Sequence, residues 1–206
     1  ALGLPVPELV FIQLDGRIAK TEPDAEIQEL LAKSEGLNIG LDYLPGSITF
    51  DPIIERTMHG KSRLASAIVW FDALVTNVDR TAKNTNLLLW HRELWMIDHG
   101  ATLIFHHNWN DDVMKRSRKP FTPIKHHVLL RWATEIRKID AELAAMLTPN
   151  VIDRILALIP DGWLGDEPRF ANAKEHRAAY REYLLDRLEN PRHWMEDAAD
   201  AQALSV

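Results

Sequence analysis

Short apolar runs bounded by turn residues occupy the early part of the chain, and helical spacing takes over from about residue 62. Residues 8–14 carry Leu9, Val10, Phe11, Ile12 and Leu14 and close at Asp15-Gly16, which predicts a strand. Pro23-Asp24 opens a helix through about Lys33, with Ile27, Leu30 and Leu31 at helical spacing. Residues 38–44 predict a second strand, ended by Pro45-Gly46. These elements read as one edge of a small sheet. Residues 2–7 before them read as a helix-to-strand connection, because glycine caps helices and proline stops them.

Over residues 62–76 the stripe Leu64, Ala67, Ile68, Phe71, Leu74, Val75 predicts an amphipathic helix with that face buried. Residues 86–105 predict a β-hairpin with an extension: Leu87-Leu88-Leu89-Trp90, a turn at His91-Arg92-Glu93, then Leu94-Trp95-Met96-Ile97. Residues 108–122 are polar, basic and proline-bounded, so an exposed loop is expected. Ile136, Ile139, Leu143, Met146 and Leu147 mark a helix. Thr148-Pro149 caps and starts the next, which Pro160-Asp161-Gly162 stops. A further helix spans about 171–188 with Tyr180, Tyr183, Leu184 and Leu188 inward, and Asn190-Pro191 separates it from a short terminal helix. There is no internal repeat and no low-complexity tract.

Composition narrows the function. A chain of 206 residues supports one substantial core or two small lobes. Hydrophobic content of 46% and charged content of 26% are ordinary for a soluble globular protein. A net charge of -6 argues against a broad nucleic-acid face, which needs clustered Lys and Arg. The basic run Lys115-Arg116-Ser117-Arg118-Lys119 reads as a solvated loop. The chain has no cysteine, which excludes disulfides, thiol nucleophiles and thiolate zinc sites and fits a reducing cytoplasm. No apolar run approaches the roughly 20 residues of a membrane span, and no secretory signal is visible, although the chain begins with Ala1 rather than Met.

The chemistry concentrates in Asn77-Val78-Asp79-Arg80-Thr81-Ala82-Lys83-Asn84-Thr85-Asn86 and in Asp98-His99-Gly100. Asp79 and Asn84 stand five residues apart, and the predicted hairpin delivers Asp98 at the end of its second strand. Phosphoryl transfer from ATP uses these parts in this order: a carboxylate to orient the nucleophile, then an amide and a second carboxylate on magnesium. Asp79 is the expected base for the acceptor hydroxyl. Asn84 is preferred over Asn86 as a metal ligand because of the five-residue spacing, and Asp98 is the other ligand, since an unpaired carboxylate at a strand end is costly to bury. Lys83 is expected beside the γ-phosphate or the substrate, with Arg80 bracing the loop. Gly100 lets the backbone turn away from the site, and His99 reads as a packing residue. His106-His107 and His126-His127 are adjacent pairs and supply poor metal geometry. Trp70 and Trp95 are expected to pack around the catalytic elements. No Walker or Rossmann glycine loop and no G-x-S-x-G elbow is present.

These motifs, with residues 40–47 and 70–77, resemble the HipA-like kinases and, more distantly, the phosphoinositide kinases. The match is best with small bacterial HipA-like proteins and covers most of the chain. It implies an α+β, protein-kinase-like fold: a partial small β lobe, a catalytic β-hairpin and a mainly helical C-terminal lobe. Residues 1–46 would be the remnant of the amino-terminal lobe with its hinge strand, and residues 47–206 the catalytic loop, metal-binding hairpin and helical lobe. The resemblance implies ATP and Mg2+, with Asp79 catalytic, Asn84 and Asp98 on the metal, and the backbone of Leu41, Asp42, Tyr43 and Leu44 against adenine. HipA is a serine/threonine protein kinase and toxin with a DNA-binding antitoxin. The implied partners are therefore a nucleotide, a protein substrate and an antitoxin-like protein, with no direct nucleic-acid or membrane contact. Thr81 stands where those relatives usually carry His. The glycine-rich loop and strand lysine of a kinase amino-terminal lobe are not found before Leu9, so the chain is expected to start partway through that lobe and to transfer phosphate poorly as it stands. The alternatives are a pseudokinase that binds nucleotide without turnover, and a metal-dependent phosphohydrolase built on Asp79 and Asp98.

Overall fold

The computed structural model describes the chain apart from Asp111, Asp166, Val206 and the side chain of Glu55. In order, its elements are β1 (Leu9–Leu14), α1 (Ala25–Lys33), β2 (Gly36–Leu41), β3 (Ile48–Thr49), α2 (Ser62–Leu74), β4 (Leu87–Trp90), β5 (Glu93–Met96), α3 (Val113–Arg116), α4 (Ile136–Met146), α5 (Pro149–Ala157), α6 (Ala173–Leu188) and α7 (His193–Leu204), joined by loops and short 3-10 turns. The fold is α+β, with small sheets and mostly helices. No described helix is long and apolar enough to cross a membrane. The chain divides into two compact units: Ala1–Leu4, Thr49–Leu87 and Asp98–Val206 form the larger, and Pro5–Ile48 with Leu88–Ile97 the smaller.

In the smaller unit β1 pairs antiparallel with β2, Leu9 opposite Leu41 and Leu14 opposite Gly36. The Asp24 carboxylate starts α1 by accepting from the N–H groups of Glu26 and Ile27 at 2.9 and 3.2 Å. The second strand lies two residues earlier than its apolar content predicts. Gly36, at φ +111°, turns the chain into the ladder, and pairing with β1 fixes its length. Asp42 N–H still bonds Glu8 O at 2.8 Å, but Tyr43 and Leu44 fall outside the strand. The β4–β5 hairpin forms as predicted, with a tighter turn. His91 and Arg92 both have positive φ, as a two-residue turn requires, and Glu93 already opens β5. Trp90 and Trp95 meet edge to face at 5.5 Å in this unit, so Trp95 packs within the hairpin.

The larger unit is built around α2, which differs from its predicted pattern. Nine of its residues are buried, including Ser66, Val69, Trp70 and Asp72, which lie off the predicted stripe, whereas Leu64 and Phe71 on the stripe are only half-buried. A helix covered on nearly all sides carries no amphipathic signal. It packs against α4 and α7. Trp70 meets Trp194 edge to face at 5.1 Å and donates Nε1–H to Asp140 at 2.8 Å, anchoring α2 to its neighbours. Asp140 also accepts from Arg192 Nε at 2.9 Å. Thr148 caps α5 through Val151 N–H as its sequence predicts. In α6, Tyr180 and Tyr183 are buried, while Leu184 and Leu188 are half-buried.

Residues 108–122 are not a plain exposed loop. Trp109, Val113, Ser117 and Phe121, spaced by four, are all buried, and α3 forms among them. These anchors are hidden in the sequence by the charged residues between them, of which Asp112, Lys115, Arg116, Arg118 and Lys119 are exposed.

Candidate functional site

The site residues Asp79, Lys83, Asn84, Asn86 and Asp98 all belong to the larger unit. They rest on one carboxylate inside it. Asp72, in the last turn of α2, is fully buried and accepts from Asn77 Nδ2 at 3.0 Å, Arg80 Nε at 2.6 Å and His127 Nε2 at 2.9 Å. His127 Nδ1 accepts from Leu129 N–H at 3.0 Å, so the ring hydrogen sits on Nε2 and points at Asp72. Burial pushes the Asp72 carboxyl up, but His127 and Arg80 together outweigh it and hold it below the ordinary carboxylate range.

That cluster shapes the loop. Asn77 Oδ1 accepts the Asp79 N–H at 3.0 Å, and Arg80 Nη1 donates to the Asn86 carbonyl. Thr81 bridges His127, and Arg80 O accepts from Val128 N–H at 3.0 Å. Arg80 therefore braces the loop from inside. Thr76 and Asn86 are held at φ +56° and +47°, and for the β-branched Thr76 this is a strained conformation.

Asp79 is half-buried. Its Oδ2 accepts from Asn84 Nδ2 at 2.7 Å and Asn86 Nδ2 at 3.1 Å. Both amides aim nitrogen at the same oxygen, which turns each Oδ1 away as a neutral oxygen donor. Asn84 is exposed and Asn86 buried. Lys83 is exposed on the same loop.

Asp98 follows β5 at φ +46°, and its Oδ1 accepts from Gly100 N–H at 3.2 Å. A Cβ at Gly100 would stand 3.3 Å from that oxygen, so a side chain here would crowd the carboxylate. Asp98 is exposed, which removes the burial-cost argument for its role. The stretch after it lies beside the stretch before Asp79: Val78 N–H bonds Ala101 O at 3.4 Å and Leu103 N–H bonds Val75 O at 2.8 Å. His99 packs edge to face on Phe71 at 6.2 Å, and burial, aided by Arg80, holds its pKa below the ordinary imidazole value despite Asp72 and Asp98.

Among the described residues, no group of three or more His, Cys, Asp or Glu side chains could hold a metal. Asn84 and Asp98 carry oxygen donors of the hard kind that magnesium takes, a cation commonly held by one or two carboxylates plus substrate phosphates. Leu41, Asp42, Tyr43 and Leu44 lie in the smaller unit: Leu41 ends β2, Tyr43 is 80% exposed and Leu44 is buried. Sequence reasoning missed the role of Asp72 and assigned no structural role to Asn77 or His127. The available signal was Asp72 itself, the single charge between Leu64 and Val75.

The fold is α+β, with a loop in which Asp79 accepts from Asn84 and with Asp98 just after the hairpin, an arrangement compatible with a kinase-like fold. The chain belongs to the HipA-like kinase family, whose model matches residues 1–197, nearly its whole length. No curated protein and no solved structure matches it.

Proposed function

We propose that the protein is an ATP- and magnesium-dependent kinase that transfers the γ-phosphoryl group to a hydroxyl, with a protein serine or threonine as the acceptor class. The observation that carries this reading is the Asn84 Nδ2 to Asp79 Oδ2 hydrogen bond, 2.7 Å, within a family of kinases. Two amides fix Oδ2, leaving Oδ1 of Asp79 to orient the acceptor hydroxyl and take its proton. The acceptor oxygen then bonds to the γ-phosphorus as the bond to the β–γ bridging oxygen breaks and ADP leaves. Lys83 is assigned to charge on the transferring group. Asn84 Oδ1 and Asp98 are the groups to hold magnesium, which when bound neutralises charge on the phosphate oxygens. The backbone from Leu41 to Leu44 is assigned to adenine.

A second reading, a nucleotide-binding interaction module without turnover, is favoured by the apolar surface of β1 and β2: Leu9, Phe11 and Ile39 are each at least half exposed. Radiolabelled ATP with magnesium and a mixed protein acceptor separates the two. Label transferred to serine or threonine supports the kinase; magnesium-dependent nucleotide binding with no transfer to protein or water supports the module. Release of inorganic phosphate without a labelled acceptor points to hydrolysis.

A further inference from the structure

A cavity of about 340 Å³ lies in the larger unit, between the 3-10 turn after Leu103, the α3 segment and α6. Its cationic side chains are Arg116, Lys119 and Arg187, and among the described residues no Asp or Glu lines it. In a chain of net charge -6 this is a local reversal of the overall balance.

The cations differ in their partners. Lys115 and Arg118, from the same basic run, are ion-paired with Asp112 and with Asp186 and Glu189. Among the described residues Arg116 and Lys119 have no carboxylate within ion-pair distance, and both are exposed at the rim. Arg187 is buried and donates only to neutral carbonyls: Nε to Leu74 O, Nη2 to Ala73 O and Nη1 to Ser117 O, each at 2.7 Å. The Arg187 guanidinium also lies over the Trp194 ring at 5.3 Å, but among the described residues no carboxylate pairs with it, and burial lowers its pKa to about 10.

The walls are apolar. Phe105, Phe121 and Tyr183 line the space with Ile104, while Thr76 and Asn108 add neutral hydrogen-bonding groups. Such a lining suits an anion carried on an apolar body. Asp112 acts on Arg116 and Lys119 only through space and is paired with Lys115, so among the described residues no carboxylate is bonded to any of the three cations. They match a dianion better than a carboxylate, and aromatic walls would stay uncovered around a bare phosphate.

We propose that this cavity is a binding site for a phosphomonoester on an aromatic or apolar stem, separate from the Asp79 site. The phosphate sits against Arg116 and Lys119 at the rim, with Arg187 adding field from below, and the stem packs on Phe105, Phe121 and Tyr183. A phosphorylated segment of a protein and a small aryl phosphate share this chemistry. The inference does not depend on the kinase reading.

Calorimetry on the full chain tests it, with phenyl phosphate, blocked phosphotyrosine and inorganic phosphate as probes. Phenyl phosphate is expected to bind at least fivefold more tightly than inorganic phosphate. The double variant Arg116→Ala, Lys119→Ala should lose at least tenfold in affinity while melting like the wild type, because both side chains are exposed. Asp79→Asn should leave binding unchanged. Tighter binding of blocked phosphotyrosine than of phenyl phosphate assigns a protein source; the reverse order assigns a free small molecule. Absence of phenyl phosphate binding, an unchanged affinity in the double variant, inorganic phosphate bound as tightly as phenyl phosphate, or loss of binding in Asp79→Asn would each overturn the proposal.

Discussion

Arg80 and Asp72 form an ion pair with both side chains inaccessible to solvent, Nε to Oδ2 at 2.6 Å. The pair ties the end of the central helix α2 to the start of the loop that carries Asp79 and Asn84. Arg80→Met keeps much of the stem and removes the charge, leaving a buried carboxylate with only Asn77 and His127. Breaking a buried pair from one side costs about 3–5 kcal/mol. Urea unfolding followed by circular dichroism should show a loss of that size; a loss under about 1 kcal/mol would mean that the pair does not hold the loop.

Asp79→Asn should lower phosphoryl transfer about a hundredfold or more and leave nucleotide affinity nearly unchanged. The substituted amide cannot take the acceptor proton, and neither of its polar atoms is assigned to the nucleotide. Single-turnover transfer and nucleotide titration, measured on the same preparation, separate the two effects. Turnover close to wild type removes Asp79 from the base role.

The two asparagines on Asp79 should separate in stability. Asn84 is exposed, so Asn84→Ala should change stability by no more than about 0.5 kcal/mol. Asn86 is buried at φ +47°, where alanine costs about 1–2 kcal/mol more than asparagine. If Asn84 is the magnesium ligand, Asn84→Ala weakens Mg-ATP binding without unfolding, as Asp98→Ala does more strongly. A larger magnesium defect in Asn86→Ala, after correction for folded fraction, reverses the assignment between them.

Much of the frame was legible in the chain. The helix from Ala25 followed from the Asp24 cap, α5 from Thr148-Pro149, and the hairpin from two apolar runs around a polar turn. The loop was legible as a dense set of polar residues between apolar elements, and its Asp79–Asn84 spacing corresponds to a direct hydrogen bond. What holds the loop was not legible, because it depends on separations of 5, 8 and 55 residues converging on Asp72. His127 read as half of an adjacent histidine pair, and nothing local marks it as the partner of a helix carboxylate. The first strand was legible as part of one edge of a small sheet, and it lies in a two-stranded sheet with much of the apolar surface of Leu9 and Phe11 open.

Tyr180 gives the fold an alkaline limit. Burial raises its phenol from the ordinary 10.0 to about 12. Between these values the unfolded chain releases the proton and the folded chain keeps it, so unfolding is accompanied by proton release and rising pH favours it. The stabilisation is complete below about pH 10 and is lost as pH rises through about 12. Tyr183, also raised by burial, acts in the same direction. Tyr180→Phe leaves the ring in its cluster, where Phe105 and Trp109 lie at 6.1 and 5.0 Å, and removes the titrating group. Urea unfolding at steps from pH 8 to 11.5 should show wild-type stability falling above pH 10 more steeply than that of Tyr180→Phe. Parallel curves for the two proteins would mean that the Tyr180 phenol titrates alike in the folded and unfolded chains.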